Sequence, residues 1–131
     1  MPAPGATSLL NGLANTNAII AQTGQGQLGV GITSDYAAGL CRNYNGGGFN
    51  DWYLPSKDEL NYLWENLADS DGDYFNSGPT DPNNLGGFAY NIYWSSTEYD
   101  NSDAWKKNFS NGLQYLYDKN STGFVRAVRA F

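Results

Sequence analysis

The basic residues of this 131-residue chain are concentrated near its C-terminus. Five of the seven lie within positions 106–129, namely Lys106, Lys107, Lys119, Arg126 and Arg129. Neighbouring antiparallel strands lie about 4.8 Å apart, so side chains on such strands could form one exposed basic ridge. An arginine holds a sulfate through two parallel hydrogen bonds, and a lysine acts as a point charge. The cluster therefore predicts an anion-binding site with Tyr115 and Tyr117 as exposed rings. The alternative for the two arginines is an ion pair with a nearby carboxylate.

Most other side-chain chemistry is excluded by what the sequence lacks. The chain has no histidine, which excludes Ser-His-Asp and Cys-His catalysis and histidine-ligated zinc. Cys41 is the only cysteine, which excludes an internal disulfide and multi-cysteine metal sites. We expect Cys41 to be a small core residue. Glu98 and Asp103 could be imagined as a catalytic carboxylate pair, but nothing in the sequence sets their separation. The prediction is a protein that is not an enzyme.

One acidic segment offers the oxygen ligands that calcium prefers. Asp69, Asp71 and Asp73 alternate along the chain and could supply several oxygens to a hard cation. The EF-hand pattern is not met, because Tyr74 and Thr80 stand where that loop has its glycine and its glutamate. These aspartates are a weak candidate for calcium, and the alternative is a solvated acidic helix end. No other cofactor is expected.

The net charge of −6 indicates which partners to expect. Nucleic-acid binding generally requires a basic domain, so none is predicted. A local basic patch could still bind an anion, because surface fields are screened beyond about 8 Å at physiological salt. No apolar run approaches the ~18 residues of a membrane-spanning helix. The first residues, Met1-Pro2-Ala3-Pro4, do not resemble a signal peptide, so we expect an intracellular protein or a fragment of a longer secreted chain.

Two helices are predicted in the first half of the chain. Residues 1–16 have the composition of a loose leader, and a short strand is expected at about 17–21. Ser34 or Thr33 could cap a helix that runs to about Tyr44, with Ala37, Leu40, Cys41 and Tyr44 on one apolar face. Ser56 and Glu59 match a capping box, which predicts a second helix over about 57–67.

Strand patterns dominate the second half. A short strand is expected at 52–54, followed by a long polar loop at 69–90. Alternating residues then predict strands at about 91–96, 104–109, 113–117 and 124–129. Along the second of these, Trp105 and Lys107 would face one side and Lys106 the other. Helices first and strands late indicate a single α+β domain, in which two helices pack on an antiparallel meander.

Four blocks of sequence resemble the signature of a known family. They are Gly48–Leu60, which contains Asp51-Trp52 and Leu54-Pro55-Ser56; Tyr93–Glu98; Ala104-Trp105 with Phe109 and Gly112; and Phe124–Arg129. Their order across residues 30–131 is similar to that of the C-terminal domain of the Legionella collagen-like adhesin. The blocks are specific together, whereas each one alone is not.

The resemblance implies a C-type-lectin-like fold, shared with formylglycine-generating enzymes and with the variable receptors of diversity-generating retroelements. The former use two cysteines, so that activity is not expected of a chain with Cys41 alone. The family implies a secreted or surface-exposed module whose ligands are sulfated polysaccharides such as heparin, heparan sulfate, chondroitin sulfate or fucoidan-like chains. A collagen segment upstream would make the protein a homotrimer, because a collagen helix needs three chains.

The resulting hypothesis is a trimeric adhesin domain that binds sulfated glycosaminoglycans through its basic ridge. Multivalent contact with a repeating polyanion would strengthen weak single contacts. The alternative is a protein-binding receptor that uses exposed tyrosines and asparagines, as in the retroelement receptors. The indole rings of Trp52, Trp64 and Trp105 are expected in the core, because their neighbours are apolar at the right spacing. The position of Trp94 stays open.

Overall fold

Three helices precede three strands in the computed structural model, which describes residues 5–69, 71–72 and 80–130. The helices are α1 (Gly12–Gln22), α2 (Ala37–Asn43) and α3 (Lys57–Leu63), and the strands are β1 (Ile92–Glu98), β2 (Asp103–Asn108) and β3 (Gln114–Asp118). A 3₁₀ turn at Gly46–Gly48 follows α2, and a π-helical turn at Trp64–Ala68 continues α3. The predicted α+β class with an antiparallel sheet is confirmed.

Helix α1 corrects the prediction of a loose leader followed by a strand at 17–21. The Asn11 side chain caps α1 by accepting a hydrogen bond from the Ala14 amide. Asn15 donates to the carbonyl of Ser8, and the Thr16 hydroxyl accepts from the Leu54 amide. Both side chains are buried, so the inner face of this helix is partly polar and shows no clear apolar period. Gly12 is required here, because a Cβ would lie 2.6 Å from the Leu54 carbonyl oxygen.

Helix α2 begins later than predicted. Its N-cap is Tyr36, which makes no side-chain capping bond, so neither Ser34 nor Thr33 has that role. Cys41 is buried, as expected, whereas the predicted face fails at Leu40 and Tyr44, which are exposed. Burial raises the pKa of the Cys41 thiol to about 12, so the thiol stays protonated at neutral pH.

Helix α3 begins with the predicted capping box. The Ser56 hydroxyl accepts from the Glu59 amide, and the Glu59 carboxylate accepts from the Ser56 amide at 3.0 Å. The same carboxylate accepts from the Gly12 amide, which joins the starts of α1 and α3. The α-helix ends at Leu63 and not at the predicted residue 67, because a π-helical turn begins at Trp64.

The Ser56→Ala variant is expected to lower the free energy of unfolding by about 1–2 kcal/mol, because the cap of α3 is lost. The substitution also removes a hydrogen bond that the Ser56 hydroxyl donates to the Leu9 carbonyl at 2.6 Å. Urea denaturation would measure the change. Ser34→Ala is the matched control and should have little effect, since Ser34 is exposed and caps no helix. Equal effects of the two substitutions would contradict this account.

The sheet has the order β1-β2-β3, and both pairs of neighbours are antiparallel. A core cluster on one face contains Leu60, Trp64, Ala68, Phe88, Tyr93 and Phe109. A second cluster contains Ala38, Cys41, Leu54, Trp94 and Ala104. Tyr93 and Trp94 are consecutive in β1, so their side chains point to opposite faces of the sheet. The sheet therefore separates α3 from α2.

The predicted strand at 124–129 is wrong. Phe124 forms a single parallel bridge with Tyr93, and Val128 forms a single antiparallel bridge with Tyr53. The segment leaves one partner before it reaches the other, so no continuous ladder forms. The strand predicted at 52–54 is likewise reduced to the Tyr53 bridge. Within the described part of the chain, no helix is long and apolar enough to cross a membrane.

Candidate functional site

The two lysines of β2 do not form part of an exposed ridge. Lys106 and Lys107 are consecutive in β2 and point to opposite faces of the sheet, as the alternation predicted. Both are buried, with residue exposures of 2% and 1%. The expectation that they are exposed is therefore wrong.

Lys106 is held between two aromatic rings. Its ammonium lies 4.0 Å from the ring centre of Trp94 and 4.6 Å from that of Tyr117. It also donates to the Ser121 hydroxyl and the Thr122 carbonyl, which fastens the turn after β3 to the sheet. Cation–π contacts and these oxygens replace water around the ammonium. Burial still lowers the pKa of Lys106.

Lys107 has a matching arrangement on the α3 face. Its ammonium lies 4.8 Å from the ring centre of Trp64 and donates to the Asn61 side chain and the Gly112 carbonyl. Burial lowers the pKa of Lys107 to about 8. Both lysines have structural partners, so replacing them would test packing as well as binding.

Lys119 is neutralised by a carboxylate from β1. Its ammonium lies 2.9 Å from a carboxylate oxygen of Glu98, and the two side chains are 13% and 3% exposed. The other carboxylate oxygen of Glu98 accepts from the Ala6 amide and from Gln22. The pair joins the N-terminal segment to the sheet. Lys119 is therefore another predicted ridge residue with a structural partner.

The two C-terminal arginines differ in their partners. Arg129 forms a bidentate ion pair with Asp51, at 2.8 and 3.0 Å, as the alternative prediction proposed. This pair lowers the pKa of Asp51. Arg126 instead donates to the Gly86 carbonyl, and its guanidinium lies 4.1 Å from the ring centre of Phe88.

The two predicted tyrosines lie on β3, the edge strand of the sheet. Tyr115 is exposed, whereas Tyr117 is half-buried because its ring covers the Lys106 ammonium. Their rings meet edge to face, with centres 6.2 Å apart. Only Tyr115 of this pair is exposed, as predicted for a stacking residue.

An open groove in the described residues lies elsewhere, between α2, the 3₁₀ turn and the C-terminal segment. Its volume is about 730 Å³, and its lining is Ser34, Leu40, Cys41, Asn43, Tyr44, Asn45, Trp52, Val125, Arg126 and Ala127. We call this opening the α2 groove. Its lining residues come from three distant parts of the sequence, and Arg126 is the only predicted ridge residue among them.

Two aromatic rings give the α2 groove a fixed wall. The Trp52 indole N–H donates to the Gly46 carbonyl at 3.2 Å, which orients the ring. Tyr44 packs edge-on against Trp52 with ring centres 5.0 Å apart, and it is 51% exposed. Such a wall can stack on an apolar sugar face, while Asn43 and Asn45 can bond hydroxyl groups. Of the three tryptophans predicted in the core, Trp64 is buried, whereas Trp52 and Trp105 are only half-buried. Trp94, whose position the sequence left open, is buried.

The positive charge around the α2 groove comes from arginines. Of the three arginines in the chain, Arg126 lines the groove, Arg42 lies on α2, and Arg129 of the C-terminal segment is paired with Asp51. Arg42 donates a hydrogen bond to Asn17, and a guanidinium carries five N–H groups in all. None of the lining residues in the described part of the chain is an aspartate or glutamate. The groove thus differs in charge from a chain whose net charge is −6.

Two of the three predicted calcium ligands lie in the described residues. Asp69 is buried and Asp71 is exposed, and Asp71 accepts a hydrogen bond from Asn83. Asp73 lies outside the described residues. No group of three or more acidic, histidine or cysteine residues that could hold a metal is present in the part of the chain that the structure describes.

A family model for the Lcl C-terminal domain matches residues 14–129. The chain belongs to this family. The match begins inside α1 and ends at Arg129, so the Lcl C-terminal domain includes the helix that the sequence patterns missed. Neither a curated protein nor a solved structure matches the chain.

All lining residues of the α2 groove lie within the matched Lcl C-terminal domain. Sequence reasoning singled out Trp52 and Arg126 but did not place them together. The sequence signal for the groove is the distribution of arginine, because all three arginines of the chain lie on α2 or in the C-terminal segment.

Proposed function

We propose that this Lcl C-terminal domain is the ligand-binding module of a surface adhesin and binds a sulfated polysaccharide in the α2 groove. The observation that carries this proposal is the lining of the groove: two fixed aromatic rings, two side-chain amides and no carboxylate among the described lining residues. Family membership supports the adhesin-type role. The sulfated ligand class rests on the family resemblance and on the arginines around the groove.

Each group has a distinct role in this proposal. Trp52 and Tyr44 stack on a sugar ring, and Asn43 and Asn45 bond its hydroxyl groups. Arg42 is not itself a lining residue but lies on α2 between Cys41 and Asn43, which are, and it holds a sulfate at the edge of the groove through its planar guanidinium. The ligand enters as an extended chain, because the groove is open rather than enclosed.

The remaining parts of the proposal concern assembly and location. The domain is non-enzymatic and needs no cofactor. It follows a collagen-like segment in a homotrimer that is secreted or displayed on the bacterial surface. A trimer presents three grooves, so a long polysaccharide gains avidity from weak single contacts. The C-type-lectin-like relationship of the fold is part of the same proposal.

A salt series on immobilised heparin tests the ligand and the site together. The wild-type domain is expected to bind, with an affinity that falls as salt is added, because sulfate contacts are screened. Arg42→Ala is expected to weaken binding about tenfold, since a charge-assisted hydrogen bond contributes about 1.5–3 kcal/mol. The wild-type domain should bind desulfated heparin no more tightly than the Arg42→Ala variant binds heparin.

Lys57→Ala is the matched control, because it removes one positive charge from α3, which contributes no residue to the lining of the groove. The Lys57 ammonium lies 3.7 Å from the ring centre of Trp105, against the sheet. Equal losses from the two variants would place binding in a general surface field rather than in the groove. Salt-independent binding to a protein partner, with none to heparin, would favour the protein-receptor alternative.

A further inference from the structure

Three side chains at the junction of α3 and β2 have an arrangement that their packing role does not require. The Lys107 nitrogen lies 2.8 Å from the Asn61 side-chain oxygen. The Asn61 amide nitrogen donates to a Glu65 carboxylate oxygen at 2.9 Å. Two hydrogen bonds therefore connect an amine to a primary carboxamide and the carboxamide to a carboxylate. The C=O bond is about 1.2 Å long, so the amine lies within roughly 4 Å of the amide carbon.

The surroundings of Lys107 favour its neutral, nucleophilic form. The residue is 1% exposed, and the Trp64 ring lies beside its nitrogen. No carboxylate of the described residues forms a salt bridge with it, although Glu65 is near enough to raise the pKa of Lys107. Burial has the larger effect and lowers that pKa to about 8. A substantial fraction of the amine is therefore neutral at mildly alkaline pH.

We propose that Lys107 and Asn61 form an intramolecular isopeptide bond with release of ammonia. This inference concerns a covalent modification and is independent of the proposed function. The neutral Lys107 nitrogen attacks the Asn61 amide carbon and forms the new C–N bond. Glu65 accepts a proton from the attacking nitrogen and delivers it to the departing amide nitrogen. The old C–N bond then breaks and one ammonia leaves, so no oxidant, reductant or other reactant is needed.

Lys106 provides an internal comparison for this chemistry. It is equally buried and also lies against a tryptophan, but its oxygen partners are the Ser121 hydroxyl and the Thr122 backbone carbonyl. Neither carries the primary amide that releases ammonia. Only Lys107 has both the amide and a carboxylate at the amide nitrogen.

The bond would fasten α3 covalently to the centre of the sheet. Residues 61 and 107 are 46 positions apart, so the cross-link closes a long loop. Closing a loop of that size restricts the unfolded chain, as a disulfide does. A domain with a single cysteine could obtain a covalent brace in this way.

The mass of the denatured chain tests the proposal. After incubation of the folded protein above pH 8, we expect a mass lower than that of the sequence by one ammonia. Cleavage after glutamates should then yield the segment 60–65 covalently joined to the segment that begins at Tyr99. Asparagine–glycine pairs can also lose ammonia as succinimides, so the joined segments are the deciding result. Below pH 8 the rate should fall about tenfold per pH unit, with the fraction of neutral amine.

Four variants sharpen this test. Lys107→Met and Asn61→Ala should abolish the joined segments, Glu65→Gln should slow their formation, and Lys106→Met should leave them in place. Wild-type protein that stays folded yet keeps its full mass and separate segments after several days above pH 8 would overturn the proposal. Joined segments that form equally fast in Glu65→Gln would overturn the assigned role of Glu65.

Discussion

Replacing Lys119 by alanine is expected to lower the free energy of unfolding by about 3–5 kcal/mol, which is the usual effect of removing one partner of a buried ion pair. The Glu98 carboxylate would then lose the ammonium that lies 2.9 Å away. Its side chain is 3% exposed, so water cannot replace the lost partner. The Ala6 amide, which donates to Glu98, would be held less firmly, and the N-terminal segment should loosen as well.

Urea denaturation of Lys119→Ala and of the double variant Lys119→Ala/Glu98→Gln measures this effect. The double variant should recover part of the lost stability, because a neutral glutamine can still accept from Ala6 without a buried charge. Lys57→Ala serves as the control and should change the stability little. A loss below about 1 kcal/mol in Lys119→Ala would mean that the pair behaves as an exposed surface pair.

Replacing Phe109 by alanine is expected to lower the free energy of unfolding by about 3–5 kcal/mol, because it leaves a cavity in the core cluster that contains Leu60 and Trp64. Phe109 is 0% exposed. Its ring centre lies 4.7 Å from those of both Phe88 and Tyr93. The surrounding residues belong to α3, β1 and the segment before β1, so little collapse into the cavity is possible.

Thermal and urea unfolding of Phe109→Ala, compared with Phe124→Ala, tests this prediction. Phe124 also contacts Tyr93, at 5.5 Å between ring centres, but it is 44% exposed. Its removal leaves less of a cavity and should have a clearly smaller effect. Similar losses from the two variants would show that the cluster around Phe109 is not the main core.

The start of α3 and the alternation of the sheet were predictable because both depend on local chemistry. Ser56 and Glu59 satisfy each other's backbone amides within one turn of helix. The period of two along β2 placed Lys106 and Lys107 on opposite faces. Helix α1 was not predictable in the same way, because its buried face contains Asn15 and Thr16. Their partners at Ser8 and Leu54 are known only from the tertiary structure.

The exposed lysine ridge was a wrong prediction for a physical reason. Lysine is usually exposed, but its long apolar stem can be buried when aromatic rings and carbonyl oxygens receive the ammonium. Trp94 and Trp64 provide those rings from two different elements. The α2 groove was hidden from sequence analysis too, since α2, Trp52 and the C-terminal segment meet only after folding.

The most direct test of the central claim is a titration of the folded domain with a short heparin oligosaccharide, followed by the indole N–H signals of its four tryptophans in an NMR spectrum. Trp52 lines the α2 groove. Trp105 lies in β2 outside the groove, and the Lys57 ammonium of α3 lies over its ring. We predict that the Trp52 signal shifts as ligand is added and that the Trp105 signal does not. A shift of Trp105 with an unchanged Trp52, or no shift of any indole signal at saturating ligand, would contradict a polysaccharide site in the α2 groove.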